Sequence, residues 1–205
     1  MSGDRPLSLR FIITLVLSVV CFAVPAWADY EAGVDAYNRG DYATAFRELK
    51  PLAENGDAFS EYFLGLMYAK GEGVSQDFKQ AEFWFFLAAE QGDAQAQDYL
   101  GMMYANGLGV PLDFKEAVRW YRLAAEQGEA RDQGNLGLMY AKGEGVLQDY
   151  VLAHMWFNLA AARFPANDTR NRTAAVKNRD TVAGEMSSEQ LAEAQKRARE
   201  WKPQQ

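Results

Sequence analysis

Across 205 residues the sequence has one cysteine, Cys21, and one histidine, His154. A single histidine rules out a His-His metal pair and the HExxH zinc helix. GxSxG and GxxxxGK[ST] are both absent, so neither a serine nucleophile elbow nor a phosphate-cradling loop is encoded. Strand-like alternation never runs beyond a few residues, which argues against a sheet. There is also no apolar run of the roughly 20 residues that cross a bilayer as a helix.

The longest apolar run is Phe11 to Val24, 14 residues that include Thr14 and Ser18, preceded by Arg5 and Arg10 and followed by Pro25-Ala26-Trp27-Ala28. Basic residues, a short apolar stretch and an A-x-A site make residues 1–28 a secretory signal, with a mature start at Asp29. A membrane anchor is the alternative, but the run is too short. Cys21 suggests a lipoprotein, but the bulky Val20 stands where such processing needs a small residue. Cleavage would remove the one thiol, leaving 177 residues without a disulfide, enough for a core that needs no staple. The implied location is periplasmic or extracellular.

Ala58–Asp93, Ala94–Glu129 and Ala130–Ala162 repeat one another at a shift of 36 residues. The shared columns include Leu64/Leu100/Leu136, Gly65/Gly101/Gly137, Gly71/Gly107/Gly143, Gly73/Gly109/Gly145, Asp77/Asp113/Asp149 and Trp84/Trp120/Trp156. A fixed period of this length marks stacked supersecondary units. Within the middle unit, Ala96, Leu100, Met103 and Tyr104 hold one face of a helix over 94–106, and Gly107 ends it. Val110 anchors the loop. Asp113 with Glu116, like Asp77 with Gln80, makes a capping pair that opens a second helix reaching about Gln127. Glycine inside a helix costs roughly 1 kcal/mol relative to alanine, so Gly101 and its two counterparts imply a close helix contact. Ala117 and Ala124 offer small surfaces there, with Leu100, Tyr104 and Trp120 filling the space around them. Each unit is then an antiparallel hairpin that buries its second face only by stacking. The expected fold is all-α: a right-handed α-solenoid of 36-residue hairpins with a C-terminal helical cap.

The pattern A-x5-L-G-x-M-Y-x2-G-x-G-V-x2-D-x3-A-x2-W-x3-A-A resembles the Sel-one-like repeat, a relative of the tetratricopeptide repeat with a longer loop. The resemblance implies protein interaction and no chemistry of its own. Some exported relatives are cysteine-rich. They supply the alternative that the chain is a cell-wall or β-lactam-type hydrolase or regulates one, but the sequence lacks both their cysteines and a convergent nucleophile and base.

Residues 29–57 resemble a shorter tetratricopeptide hairpin, with helices near 30–38 and 42–54 joined at Arg39-Gly40-Asp41. After Ala162 the repeat breaks at Phe164-Pro165. Residues 163–205 form a helical cap, with a moderately helical stretch from Ala166 to Glu185 followed by a helix that opens at the Ser187-x-x-Gln190 capping box and turns Leu191, Ala194, Ala198 and Trp201 inward. Residues 29–162 carry 10 Lys and Arg against 21 Asp and Glu, while 163–205 carry 9 against 6. So acidic a body excludes nucleic acid as a partner, and the basic tail is a solvated face.

Residues required by every unit say little about function. Asp77, Asp113 and Asp149 are helix caps, and the three tryptophans are core. His154, whose column holds Glu82 and Val118, is expected to be a tolerant, partly exposed structural or surface residue. The informative positions are those where units disagree. By analogy with tetratricopeptide hairpins, the first helices line a concave groove with Phe59, Tyr62, Leu66 and Lys70 in one unit, Gln95, Asp98, Met102 and Asn106 in the next, and Arg131, Gly134, Leu138 and Lys142 in the third. That stripe is expected to bind a protein or peptide segment from an envelope partner, with no cofactor, no metal and no catalytic residue. N-terminal sequencing of the fractionated protein is expected to start at Asp29, and an intact Met1 in the membrane fraction would favour the anchor.

Overall fold

The computed structural model describes residues 26–204, so the proposed signal lies almost wholly outside the described residues. The described residues form ten helices and no strand: α1 Ala26–Asn38, α2 Tyr42–Glu54, α3 Ala58–Lys70, α4 Phe78–Glu90, α5 Ala94–Asn106, α6 Phe114–Gln127, α7 Ala130–Lys142, α8 Tyr150–Arg163, α9 Thr169–Ala183 and α10 Ser188–Glu200. The first helix begins four residues earlier than its periodicity predicts. The others fall close to expectation. Consecutive helices pack as hairpins, and the second helix of each hairpin packs on the first helix of the next. First helices also touch across units, α3 with α5 and α7 with α9, which puts them on the inside of the curve.

Local chemistry sets the boundaries. Gly107 takes φ 66° as the left-handed cap of α5, and its amide donates to Met103. Asp113 caps α6 by accepting from the amides of Lys115 at 2.9 Å and Glu116 at 3.2 Å. The predicted reciprocal half of the pair does not form at Asp113 or Asp77. Their own amides donate to the Tyr104 and Tyr68 carbonyls, at 3.0 and 2.9 Å, tying the end of the loop back to the first helix. A complete capping box occurs at Ser187 and Gln190.

The interior glycines mark helix crossings, as expected, although the partner is an aromatic ring and not the alanine face. A Cβ built on Gly101 would sit 2.5 Å from the Tyr121 ring. Gly65 lies under Phe85 and Gly137 under Phe157 in the same way. Gly33 extends the column into the first hairpin, where it lies under Leu49.

The loop glycines work between units. Gly109, with φ 74°, rests on the backbone of Phe78 at the start of α4, and Gly145 rests on Phe114 at the start of α6. Gly73 approaches Tyr42 so closely that a Cβ would lie 2.7 Å from its carbonyl oxygen. Polar pins add to this: the Gln97 and Gln133 side-chain amides each donate over 3.1 Å to the last turn of the preceding second helix, at Ala89 and Ala125. Gln97 in turn accepts from Gln127 at 2.9 Å. The equivalent donor in the third unit is Arg163, which instead lies 4.3 Å over the Trp201 ring, and Gln133 Oε1 is left without a partner.

Beyond α8 the stack closes. α9 packs beside α7 and α8 in the position of a next first helix, while α10 turns back over α8. Ala194 is fully buried, and Ala198 and Trp201 pack against the cluster around Met155, Trp156 and Leu159. The Trp156 and Trp201 rings meet edge-on with centroids 6.0 Å apart.

Two helical glycines should respond in opposite directions. Gly101→Leu must displace the Tyr121 ring and is expected to cost on the order of 3 kcal/mol. Gly134, in α7, has no atom within 4 Å of its would-be Cβ, so Gly134→Ala is expected to stabilise by about 0.5–1 kcal/mol. Urea unfolding of the two variants checks both signs.

Candidate functional site: the concave groove

The groove residues sort into three groups. Tyr62, Gln95, Asp98 and Arg131 line one cavity of about 350 Å³ between α5, α7 and the start of α9, with Phe164 and Pro165 forming its end wall. Arg131, Gly134 and Leu138 line a second cavity of about 250 Å³ against α9. Asp98, Met102 and Arg131 share a third of about 290 Å³ with Tyr99 and Tyr121. Phe59 lies beyond these cavities, is 59% exposed, and packs one edge against Tyr30.

At the loop end of the stripe, side chains bond locally. Lys70 donates to the Tyr37 hydroxyl at 2.9 Å and pairs with Glu72 at 3.7 Å, and Lys142 pairs with Glu144 at 3.6 Å. Asn106 donates to its own helix at Met102. Leu66 is a correction: at 5% exposure it belongs to the core cluster against which Tyr62 and Tyr99 pack, so it does not face the groove as Met102 and Leu138 do. Two residues of the stripe meet, with the Arg131 guanidinium 2.8 Å from Asp98 across two units, a pairing the column spacing alone does not predict. Arg131 is 70% exposed, so this latch contributes at most about 1 kcal/mol.

The Sel1 repeat family model matches residues 58–93, 94–129 and 131–163. The chain belongs to the Sel1 repeat family. Among solved structures, it is 30% identical to a Sel1 repeat protein from Oxalobacter formigenes, with a TM-score of 0.63 over 81% of this chain and 72% of that one. It is 28% identical to a protective antigen of uropathogenic Escherichia coli that displays an SLR fold, with a TM-score of 0.50 over 86% of this chain. The match spans only 45% of the antigen's length. None of the curated proteins matches the chain.

Set against the Sel1 repeat frame, His154 departs from expectation. It is 4% exposed because α9 and α10, which are not repeats, fold over its column. Burial, then the neighbouring Arg179, hold its pKa below the usual value, with Asp180 opposing, and Nδ1 has no hydrogen-bond partner. On the opposite side of the solenoid, Phe83, Phe86 and Leu123 are exposed on the second helices. The repeat pattern gives those columns no role.

The main omission is Asp132. It occupies the column of Ser60 and Ala96 in the first turn of α7, is 2% exposed, and its Oδ1 has no hydrogen-bond partner. Burial, then Asp98, then Glu129 push its carboxyl up to about 9, with Arg131 opposing. The signal was present in the sequence, as an acid where both other units place a small side chain.

That shift sets a pH dependence. The acid is neutral in the fold and ionises near pH 4 once unfolded, so its contribution is complete below about pH 4 and is lost as pH rises toward 9. Asp98, Glu129, Arg131, Tyr121 and Asp168 are the titratable groups facing it from α5, α6, α7 and the cap of α9. Asp132→Asn copies the protonated form. It is expected to melt like the parent at pH 4 and to be more stable at pH 8 by up to about 5 kcal/mol, since each pH unit between the unfolded pKa and pH 8 adds about 1.4 kcal/mol. Parallel melting curves at the two pH values check this, and an equal gain at both would remove the titration argument.

Proposed function

We propose that the chain is an exported binding scaffold that holds an extended polypeptide segment of an envelope protein in its concave groove. Sel1 repeats generally mediate protein–protein binding. The observation that carries the groove is its composition: exposed Phe59, Met102 and Leu138 are interspersed with Gln95, Asp98 and Arg131 along one concave stripe that opens into cavities at its far end. Such a surface anchors apolar side chains and orients polar ones. Export is supported by Arg5, Arg10, the apolar run that follows and Ala26-Trp27-Ala28 in the sequence. No helix among the described residues is long and apolar enough to cross a membrane.

Tyr62 is a poor test residue because its ring packs against Phe63, Phe85 and Tyr99. Phe59→Ala combined with Met102→Ala removes exposed groove contacts without opening the core. Against a partner identified by crosslinking in an envelope extract, the double variant is expected to lose about 2 kcal/mol of binding with its circular dichroism unchanged. Undiminished binding by the folded variant would move the site to the convex face or the basic tail.

A further inference from the structure

Two columns of the third repeat change together, and both changes are unfavourable for the hairpin itself. Asp57 and Asp93 cap α3 and α5 by accepting from the Ser60 amide at 2.8 Å and the Ala96 amide at 2.7 Å. Their counterpart Glu129 makes no cap bond to α7. Losing such a cap costs about 1 kcal/mol. The buried carboxyl of Asp132, whose Oδ1 has no partner, costs more, since an acid removed from water needs compensating bonds. The first two units fold without either feature. The structural needs of the repeat therefore do not account for them.

Both side chains line the 350 Å³ cavity at the end of the groove, together with Asp98 and Asp168. Asp168 already accepts from Asn171, so it supplies charge more than a free lone pair. Arg131 is the one cation among the lining residues and is committed to Asp98. Tyr62 and Tyr99 form an aromatic wall, with ring centroids 6.1 Å apart. A cavity with three acids besides Asp132, one cation already committed to Asp98 and an aromatic wall favours a positive group that can also lie on a ring face, and such a group would draw the buried Asp132 toward its charged form. Among the described residues no group of three His, Cys, Asp or Glu is placed to hold a metal ion.

We propose that this cavity is the subsite for one arginine side chain of the bound segment, with the guanidinium donating to Asp132 and Glu129 and lying against Tyr62 and Tyr99. A planar, weakly hydrated fork pays less to enter a half-closed aromatic pocket than the compact, strongly hydrated ammonium of lysine, and its several donors reach two carboxyls at once. The proposal rests on the groove as the binding surface and adds the chemistry of one position in the partner.

The test is a titration of the full chain with acetyl-Gly-Arg-Gly-amide, with the lysine and glutamate tripeptides as comparisons, followed through backbone amide shifts at 130–132 and 168–171. The arginine probe is expected to bind about tenfold more tightly than the lysine probe, and the glutamate probe to leave the spectrum unchanged. Asp132→Asn, which keeps the shape of the protonated acid but cannot ionise to meet a guanidinium, and Glu129→Gln are each expected to weaken the arginine probe about tenfold. Equal binding of arginine and lysine, shifts outside these segments, or full affinity in both variants would overturn the assignment. If the captured partner is lost on Phe59→Ala with Met102→Ala but retained by Asp132→Asn, the groove stands and the arginine subsite falls. If capture ignores the groove pair, the groove reading fails whatever the probe does.

Discussion

The contact on which the rest of the molecule depends is bare backbone under a ring: Gly65 under Phe85, Gly101 under Tyr121 and Gly137 under Phe157. With no side chain between them, the two helices of a hairpin approach closely and their rotation about their own axes is set. That rotation decides which columns of the first helix are buried and which face the groove, since residues one turn apart share a face. The first hairpin shows that the requirement is small against large and not aromatic as such, because Gly33 there lies under Leu49. The energetic argument matches: a close-packed crossing has no room for an added methylene, so the glycine's helix penalty is offset by the packing it permits.

What could be foreseen from the sequence was what depends on neighbours within a few residues. Helix caps at Asp77, Asp113 and Asp149, left-handed ends at Gly71, Gly107 and Gly143, and the tryptophan core all follow from short spacings, and all are present. What escaped depended on partners in another unit. Gly109 reads as a turn residue within its own loop, yet it rests on Phe78, 31 residues upstream. His154 looks tolerant beside Glu82 and Val118, yet the non-repeated helices α9 and α10 enclose it. Leu66 sits in a groove column, but the aromatic cluster of its own end of the solenoid takes it into the core. Short-range periodicity describes a unit by itself, and these residues answer to what lies outside their own unit or pattern.

The groove was legible as a surface and not as a set of sites. Its outline follows from the helix rotation, so Gln95, Asp98, Met102, Arg131 and Leu138 fall where the repeat places them. Its strongest electrostatic feature did not follow, because Asp132 lies in a column that is otherwise Ser60 and Ala96, buried in every unit. An acid there is nearly invisible to an argument that looks for exposed residues. It becomes visible only once the cap above it is seen to have changed as well, from aspartate to Glu129, with loss of the cap bond.

A solenoid repeats its backbone frame by construction, so selectivity has to come from places where the units differ or the repeat is broken. The largest break is at Phe164-Pro165, where α8 ends and the chain turns into α9. The same turn that stops the stacking also walls the cavity holding Asp98, Glu129 and Asp132, and the α9 cap Asp168 brings a fourth acid to its rim. A continued stack would leave that position an open trough, where water would screen the acids and bring the Asp132 carboxyl back toward its ordinary range. Closing the array and walling this acidic pocket are therefore consequences of the same two residues, which is why the proposed subsite belongs to the last repeat and not to the first two.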